Sequence, residues 1–388
     1  MVYLDNAATS WPKPESVYQT MDSFLREKGG NPGRSGHSMA VAAEKVIEET
    51  RVLLAALFNA PDEKSIIFTL NCTDSLNLAL KGLLKPGDHL ITDSIGHNSL
   101  VRPINRLERE GIVVTRLPPS SEEGAISPFD VERAITAKTR LLAITHASNV
   151  SGVIQPVEEI GEVAKRHGVV LLVDAAQSAG AIPIDVQAAN IGLLALSGHK
   201  GPLGPPGTGV LYVGKDIQLD HIREGGTGTF SESEEQPLDM PQRYESGTPN
   251  TVGIAGLGAG VKYVLSQRVE EVRHHELTLI ERLFGGLAAI PTVAVYGPRL
   301  TSKRVGLVSF RIEGWSPGEL GAILDQAFDI KVRPGLHCAP AAHKVLGTYP
   351  QGSVRASVGC FNTLDEIDFL VDAIAKIAAT GAPRLTPN

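Results

Sequence analysis

The segment Ile191-Gly-Leu-Leu-Ala-Leu-Ser-Gly-His-Lys200 is an apolar run that ends in a single lysine. A turn-rich stretch with several glycines and prolines, residues 201–209, follows it. A purely structural lysine would lose its hydration here, with no carboxylate nearby in the sequence to pair with the ammonium. A lysine in such surroundings releases its proton easily, and the neutral amine forms an imine with an aldehyde. The segment therefore predicts a buried strand with a reactive amine, Lys200, just beyond its end.

Pyridoxal 5′-phosphate (PLP) is the aldehyde cofactor that uses a lysine imine, and its ring nitrogen needs an acid. Asp174 can supply this acid. It ends the apolar run Val169-Val-Leu-Leu-Val173, which is typical of a strand buried in a parallel sheet, and ligands bind at the carboxyl ends of such strands. Gln177 could donate a hydrogen bond to the phenolic oxygen of the ring. The alternative is that Asp174 caps the next helix.

The phosphate of the cofactor requires hydrogen-bond donors, which the turn Asn71-Cys72-Thr73-Asp74 offers. An apolar strand at 65–70 precedes this turn, and a helical stretch at 75–84 follows it. The first turn of a helix has unpaired backbone N–H groups and a dipole that favours an anion. Side chains next to the lysine could add further donors. The residues that we expect at the phosphate are Cys72, Thr73, Ser197 and His199.

In the order and content of these motifs, the chain resembles the class V aminotransferase family of fold-type I PLP enzymes, and within it the cysteine desulfurases. The motifs that carry the resemblance are Tyr3-Leu-Asp-Asn-Ala-Ala8, Asn71-Cys-Thr-Asp74, Thr145-His-Ala-Ser-Asn149, Val173-Asp-Ala-Ala-Gln177, Ser197-Gly-His-Lys200 and Glu245-Ser-Gly-Thr-Pro-Asn250. The resemblance implies that His97 stacks over the cofactor ring and carries protons. It also implies that Asn149 lies near the substrate and that Thr248 binds the phosphate of the other subunit in a homodimer.

A further segment, Arg333-Pro-Gly-Leu-His-Cys-Ala339, resembles the Arg-x-Gly-x-His-Cys-Ala segment of the group II cysteine desulfurases. The resemblance implies that Cys338 takes sulfur from the substrate. Arg355 matches the arginine that grips the substrate carboxylate, a task for which a planar guanidinium is suited. Arg333 and Asn149 are the other expected substrate contacts. Pro334 and Leu336 stand in the cysteine loop at positions where the family commonly has polar residues or histidine. This difference bears on the identity of the sulfur acceptor more than on the chemistry.

The chain has three cysteines, Cys72, Cys338 and Cys360, with no Cys-x-x-Cys pair. This pattern predicts neither a disulfide framework nor a zinc ribbon. Cys72 and Cys360 lie in apolar or turn contexts typical of small core residues. Cys338 lies in a loop, where exposure and nearby cations favour the thiolate; an incidental loop cysteine is the alternative. His337 and His343 are spaced i, i+6 without further ligands, so we predict no metal site.

The composition is that of an ordinary globular protein. The chain has 388 residues, 42% hydrophobic and 20% charged, which is enough for two cores. Its net charge of −7 gives no reason to expect a nucleic-acid partner. No apolar run approaches the ~20 residues that span a bilayer, and the first residues lack the basic region of a signal peptide. We therefore expect a cytoplasmic protein with no membrane partner.

The periodicity predicts two domains. Apolar strands alternate with helical stretches such as Val157–His167, which predicts an α/β/α domain with a mostly parallel sheet. In the C-terminal third, Ser316-Pro-Gly-Glu319 and Thr363-Leu-Asp-Glu366 are capping boxes that open helices of a smaller α+β domain. The strands expected there lie near 305–312, 330–333 and 353–358. We thus expect the α/β fold of fold-type I PLP enzymes, with a large PLP-binding domain at 17–265 and a small domain of residues 1–16 and 266–388.

Together, the residues and the resemblance predict an enzyme that converts L-cysteine to L-alanine and holds the sulfur as a persulfide on Cys338. A protein that accepts this sulfur is expected as well. A selenocysteine lyase, which needs the same cofactor site, is the first alternative. An aminotransferase or β-elimination reaction on that site is the second. A regulator or scaffold is the third, and the presence of the lysine, the acid and the thiol argues against it.

Overall fold

The computed structural model describes residues 1–33, 36–120, 124–229 and 231–381. The strands, in chain order, are β1 Val2–Tyr3, β2 Ile66–Thr69, β3 His89–Asp93, β4 Val113–Leu117, β5 Thr139–Thr145, β6 Val170–Asp174, β7 Leu193–Ser197, β8 Gly209–Val213, β9 Val293–Tyr296, β10 Leu307–Ile312, β11 Ile330–Lys331, β12 Arg333–Gly335 and β13 Ser353–Ser357. The helices are α1 Glu15–Glu27, α2 Ser38–Phe58, α3 Cys72–Leu83, α4 Asn98–Arg109, α5 Pro128–Ala134, α6 Val157–His167, α7 Thr251–Gln267, α8 Val269–Ala288, α9 Pro317–Phe328, α10 Pro340–Val345 and α11 Leu364–Thr380.

A seven-stranded sheet in the order β2-β8-β7-β6-β5-β3-β4 forms the larger core. Among these described strands, β8 runs antiparallel to both neighbours and the other pairings are parallel. Every residue of β3, β7 and β8 is buried, because helices cover both faces of the sheet. The carboxyl ends of β6 and β7 lie side by side, so Asp174 and the lysine after Ser197 share one edge of the sheet. The expectation of a mostly parallel sheet is confirmed.

The helices form two layers around this sheet. On one face, α3 and α4 bury an apolar cluster that includes Leu76 and Leu100. On the other face, α2, α6 and α7 bury a cluster that includes Phe58, Val163 and Leu257. The predicted helix Val157–His167 matches α6 at both ends. This is a three-layer α/β arrangement, so the predicted fold class is confirmed.

A smaller antiparallel sheet in the order β12-β13-β10-β9 packs with α8, α9 and α11 around a third apolar cluster. Both predicted capping boxes are present, at the start of α9 and at the start of α11. The single strand expected at 330–333 is wrong, because the chain leaves one sheet for another there. β11 pairs with β1, whereas β12 pairs with β13.

The domain boundaries at residues 16 and 265 stay a prediction, and residues 382–388 lie outside the described residues. None of the helices in the described ranges has the length and apolar character needed to cross a bilayer.

Candidate active site

A cavity of about 230 Å³ opens at the carboxyl ends of β6 and β7, between the two sheets. It is lined by residues of both sheets and of the loop that carries Cys338. The predicted site residues on its wall are Cys72, Thr73, His97, Asn149, Asp174, Gln177, Ser197, His199, Lys200, Arg333, Cys338 and Arg355. Thr248 is absent from this wall and is exposed on the surface. The fold therefore brings twelve of the thirteen predicted residues together.

The acid of the site, Asp174, is only 3% exposed. Its Oδ1 accepts hydrogen bonds from the backbone N–H of Ala176 at 3.0 Å and from the thiol of Cys72 at 3.4 Å. Burial raises the pKa of Asp174, although the bond from Ala176 and the charge of Lys200 oppose this. The alternative of a helix cap does not apply, because turns follow β6 and the next helix in the described part of the chain, α7, begins only at Thr251. Cys72 is thus a hydrogen-bond donor that orients the acid, besides being a buried core residue.

The amine of the site, Lys200, lies in the same cavity. Burial lowers the pKa of Lys200, and the Arg355 and Arg333 cations act in the same direction. Cys72 and Asp174 oppose the shift. A lowered pKa increases the fraction of neutral amine at neutral pH, which is the form that bonds to an aldehyde and that accepts a proton. These surroundings fit the reactive amine predicted from the sequence.

The turn that precedes α3 offers donors for an anion. α3 begins at Cys72, three residues earlier than expected, and the Asn71 side chain caps it by accepting from the N–H of Asp74 at 3.0 Å. The N–H groups of Cys72 and Thr73 have no acceptor among the described residues. A β-carbon on Gly209 would lie 2.4–2.6 Å from backbone atoms of Asn71, so only glycine lets the turn pack against β8.

His97 lies at the N-terminus of α4, where its side chain caps the helix. Its Nδ1 accepts a hydrogen bond from the backbone N–H of Ser99 at 3.1 Å. In a neutral imidazole the proton is therefore on Nε2. Burial lowers the pKa of His97 to about 4, and the charges of Lys200 and Arg355 contribute to this shift. His97 is neutral at neutral pH, with Nε2–H as its remaining donor.

Arg355 forms the cationic end of the cavity. It is 2% exposed, and its Nη1 donates to the Asn149 carbonyl while Nη2 donates to Oδ1 of Asp5, both at 2.9 Å. Arg333 is more exposed, and its Nη1 lies 3.8 Å from Oδ2 of Asp5. A buried guanidinium fixed on one side presents its remaining N–H groups in a plane, which suits a carboxylate.

Cys338 is the exposed thiol of the chain, whereas Cys72 is buried and Cys360 is half-buried. Both His337 and Cys338 have left-handed backbone conformations, with φ of 50° and 55°. The Cys338 carbonyl accepts from the N–H of Asn98 at 2.8 Å, and the His337 carbonyl accepts from the Asn149 side chain at 2.7 Å. Asn149, expected to contact substrate, therefore also holds the cysteine loop. Exposure agrees with the prediction for the thiol.

Some residues of the site escaped the sequence analysis. In the sequence, Asp5 is marked only as a member of the Tyr3–Ala8 motif, but it is the ion-pair partner of Arg355. Ser10 and Lys13 donate hydrogen bonds to the carbonyl of His199, and Ser10 also donates to that of Lys200. No local pattern marks these contacts, since each joins residues that are more than 180 positions apart.

Buried polar atoms on the cavity wall bear on whether PLP and an amino acid fit there. Thr145 Oγ1, His199 Nδ1 and Arg355 Nε are buried without a hydrogen-bond partner among the described residues. All three residues line the cavity. Orphaned polar atoms of this kind are costly unless a ligand meets them. Together with the free N–H groups at the start of α3, the buried acid and the amine, they fit an anionic cofactor with a ring nitrogen and a carboxylate substrate.

A second cavity, of about 50 Å³, shares Gln177 and Lys200 with the first. Cys360 and Glu276 also line it. Glu276 is 7% exposed, and none of the described residues forms a hydrogen bond or ion pair with its carboxyl. Burial raises the pKa of Glu276 to about 8, while Arg273 opposes the shift. The folded protein therefore keeps a proton that the unfolded chain would release near pH 4.5.

Glu276→Gln should make the folding stability less dependent on pH. The raised pKa of Glu276 stabilises the folded state fully below about pH 4.5, and this contribution is lost as the pH rises through about 8. Glutamine does not titrate, so the variant should exceed the wild type by on the order of 1–3 kcal/mol in free energy of unfolding at pH 8. Denaturant titrations at pH 5 and pH 8 measure this. Glu270→Gln, at an exposed position on the same helix, is the control; an unchanged pH dependence for Glu276→Gln would contradict the prediction.

Comparison with known proteins supports the interpretation of the cavity. The sequence model of the family described as Aminotransferase class-V matches residues 2–370. A probable cysteine desulfurase of Methanothermobacter thermautotrophicus is 36% identical over 386 residues, which cover 98% of this chain and 95% of that protein. A cysteine desulfurase of Pectobacterium atrosepticum is 32% identical, with coverage of 97% and 93%.

Solved structures show the same fold. The apo structure of a cysteine desulfurase from Thermococcus onnurineus superposes with a TM-score of 0.91 at 36% identity, covering 98% of this chain and 95% of that one. The Escherichia coli cysteine desulfurase CsdA, in an S-sulfonic acid form, gives a TM-score of 0.87 at 29% identity, with the same coverage. These relatives are fold-type I PLP enzymes. With a family match across nearly its whole length, this chain belongs to the class V aminotransferase family.

Proposed function

We propose that the protein is a PLP-dependent cysteine desulfurase that converts L-cysteine to L-alanine and holds the released sulfur as a persulfide on Cys338. One observation carries the proposal. An exposed thiol lies on the wall of the same cavity as a half-buried lysine, a buried acid and a buried arginine. A PLP aminotransferase needs the last three but has no use for the thiol, whereas sulfur extraction needs a nucleophile at that position.

The residues on the cavity wall can hold the cofactor at each of its polar groups. When bound, PLP supplies an electron sink that stabilises negative charge next to the substrate amino group. Lys200 would hold the aldehyde carbon and Asp174 the ring nitrogen, with His97 on the ring face and one N–H of Gln177 free for the phenolic oxygen. The other N–H of Gln177 is occupied by the Ala7 carbonyl at 3.0 Å. The proposed phosphate donors are Cys72, Thr73, Ser197, His199 and, from the partner subunit, Thr248.

Arg355 orients the substrate. Two of its nitrogens are fixed by Asp5 and the Asn149 carbonyl, while Nε remains unpaired in the described structure. A substrate carboxylate that pairs with the remaining N–H groups would be held in one plane. Arg333, which is partly exposed beside Asp5, adds a second cation at the entrance. The amino acid is thereby placed with its α-carbon within reach of Lys200.

Proton transfer and sulfur transfer then use different residues. Lys200 in its neutral form takes the proton from the substrate α-carbon. The Cys338 thiolate attacks the substrate sulfur, so a sulfur–sulfur bond forms while the carbon–sulfur bond breaks and leaves its electron pair on the β-carbon. That carbon gains the proton that Cys338 lost on forming its thiolate, with His97 of the same cavity wall as the carrier, and Lys200 returns its proton to the α-carbon. The products are L-alanine and a persulfide on Cys338, and no external oxidant or reductant is consumed.

A direct assay tests the proposal. Purified protein reconstituted with PLP is incubated with L-cysteine, and alanine, sulfide and the mass of the Cys338 peptide are measured. We expect one alanine per sulfur released and a mass gain of one sulfur atom on Cys338. Alanine formed only when a keto acid is added would instead identify an aminotransferase.

We also propose that the protein is a homodimer in which Thr248 reaches the phosphate of the partner subunit. Thr248 is exposed and lies off its own cavity wall, so a phosphate contact requires another chain. Thr248→Val should weaken PLP binding while leaving the dimer intact, because it removes one hydroxyl donor. PLP titration and sedimentation velocity measure the two effects, with exposed Thr278→Val as the control. A monomer with full PLP occupancy would contradict the proposal.

The free state of all three cysteines supports a location in the reducing cytoplasm. The sulfur leaves through an acceptor protein, which has to reach the exposed Cys338.

A further inference from the structure

The loop that carries Cys338 is held in an unusual backbone conformation. His337 and Cys338 are consecutive non-glycine residues with positive φ, of 50° and 55°. Neither residue is a glycine, which could adopt a positive φ without steric strain. The surrounding contacts therefore have to maintain the turn. Two of these contacts are the bonds from Asn98 and Asn149 to the loop carbonyls. A third contact involves the His337 side chain.

The His337 imidazole belongs to a buried chain of hydrogen bonds. Its Nε2 lies 2.9 Å from the Arg333 carbonyl, and its Nδ1 lies 3.1 Å from Nε2 of His343. The Nδ1 of His343 lies 2.7 Å from Oγ1 of Thr348. His337, His343 and Thr348 are 5%, 0% and 1% exposed. The chain therefore links the start of the loop, at Arg333, to α10 and the turn that follows α10.

The chemistry of the chain allows one arrangement of protons when both rings are neutral. The Arg333 carbonyl can only accept, so Nε2 of His337 carries a proton and Nδ1 of His337 is an acceptor. His343 must then donate from Nε2, and its Nδ1 accepts from the Thr348 hydroxyl. Burial lowers the pKa of His337 to about 3 and that of His343 to about 4, helped by Arg355 and Arg333 at the first ring and Arg311 at the second. Both rings are neutral at neutral pH.

We propose that His343 is a positioning residue, which donates from Nε2 to Nδ1 of His337, holds that ring in place and so locks the left-handed turn that presents the Cys338 thiol. His343 itself lies outside the wall of the active-site cavity. It therefore acts through His337 and the loop rather than on the substrate. The effect on catalysis rests on the proposed desulfurase function, but the effect on the loop does not.

The test compares two substitutions at position 343 in the PLP-loaded enzyme. His343→Met fills the space with an apolar side chain and removes the donor to His337. His343→Gln keeps one N–H donor and one acceptor oxygen at the end of the side chain. His89→Met is the control, because His89 is also buried and bonds two threonines, Thr139 and Thr115, in the seven-stranded sheet. Selective ¹⁵N labelling of histidine reports the tautomers, and hydrogen exchange reports the amides of Asn98 and Ala339.

For His343→Met we expect the ¹⁵N signal of His337 Nδ1 to shift, because this nitrogen loses its donor, while Nε2–H stays bonded to the Arg333 carbonyl. Exchange at the amides of Asn98 and Ala339 should accelerate, because these amides bond loop carbonyls. The rate of persulfide formation should fall roughly 10- to 100-fold, with KM for L-cysteine and the PLP absorbance unchanged, since a small displacement of a reacting group has an effect of this size. His343→Gln should recover most of the rate, and His89→Met should alter none of these readouts.

Unchanged ¹⁵N signals and exchange rates in His343→Met would overturn the proposal, as would a Gln variant as impaired as the Met variant. If the wild type made no alanine from cysteine, the proposed function would fail. The ¹⁵N and exchange measurements would still decide the role of His343, so the two failures are distinguishable.

Discussion

Lys200→Ala should abolish alanine formation and eliminate the borohydride-reducible link between protein and PLP. In the proposed mechanism Lys200 has two tasks, to bond the cofactor and to take the α-proton, and alanine can do neither. Loss of a general base alone lowers rates by roughly 10²–10⁴-fold, so the combined loss should reach at least the upper end of this range. The backbone N–H donors at the start of α3 remain, and so does Asp174. PLP should therefore still bind without a covalent link. Absorbance spectra and mass spectrometry after borohydride treatment measure both effects.

Lys13 provides the control for this experiment. Burial lowers the pKa of Lys13 to about 8, and its Nζ donates to the His199 carbonyl at 2.9 Å. It is thus a second lysine with an accessible neutral form close to the site. In the Lys13→Met variant, borohydride should still trap PLP on Lys200. Trapping on Lys13 in the wild type would show that the amine of the site has been misassigned.

Cys338→Ser should stop sulfur extraction and spare cofactor chemistry. A serine hydroxyl is a poor nucleophile toward sulfur at neutral pH, while Lys200, Asp174 and Arg355 stay in place. L-Cysteine should still change the PLP absorbance, yet alanine release should fall by on the order of 10⁴-fold or more, as in enzymes that lose their nucleophile. Selenocysteine should be turned over better than cysteine by this variant, because selenium leaves more readily. Alanine production from both substrates is the measurement.

Cys360→Ser is the matched control, since Cys360 is half-buried and lines only the second cavity. It should keep wild-type activity. If Cys338→Ser produced alanine at the wild-type rate, the proposed desulfurase function would be contradicted. A lyase or another class V reaction would then be favoured.

Much of the fold could be predicted from local patterns. Long apolar runs predicted the buried strands to within about two residues, and the serine and threonine capping boxes placed the starts of α9 and α11. Asp174 and Lys200 could be paired because each follows a buried strand, and parallel strands bring their carboxyl ends to one edge. These features depend on residues that are close in sequence or on the general geometry of parallel sheets.

Other parts of the site could not be predicted, because they depend on distant contacts. Ile330-Lys-Val-Arg333 looks like one strand, but the choice between two neighbouring sheets divides it. His337 and His343 were considered only as metal ligands. Their mutual hydrogen bond depends on the left-handed turn at His337 and Cys338, which no spacing rule reveals. The hydrogen bond from the Asn149 side chain to the His337 carbonyl likewise appears only once the cysteine loop lies against Asn149.

The hydrogen bond between Asp5 and Arg355 joins residues 350 positions apart, which bears on how the protein matures during translation. The ribosome synthesises Asp5 near the start of the chain and Arg355 only after all strands of the seven-stranded sheet. Folding that proceeds domain by domain from the N-terminal side can complete that sheet, with Lys200 and Asp174, while Asp5 still waits for its partner. A nascent chain would thus complete the proposed cofactor pocket first and the arginine site for the substrate carboxylate last. An incomplete chain would be able to take up the vitamin-derived cofactor without consuming cellular cysteine.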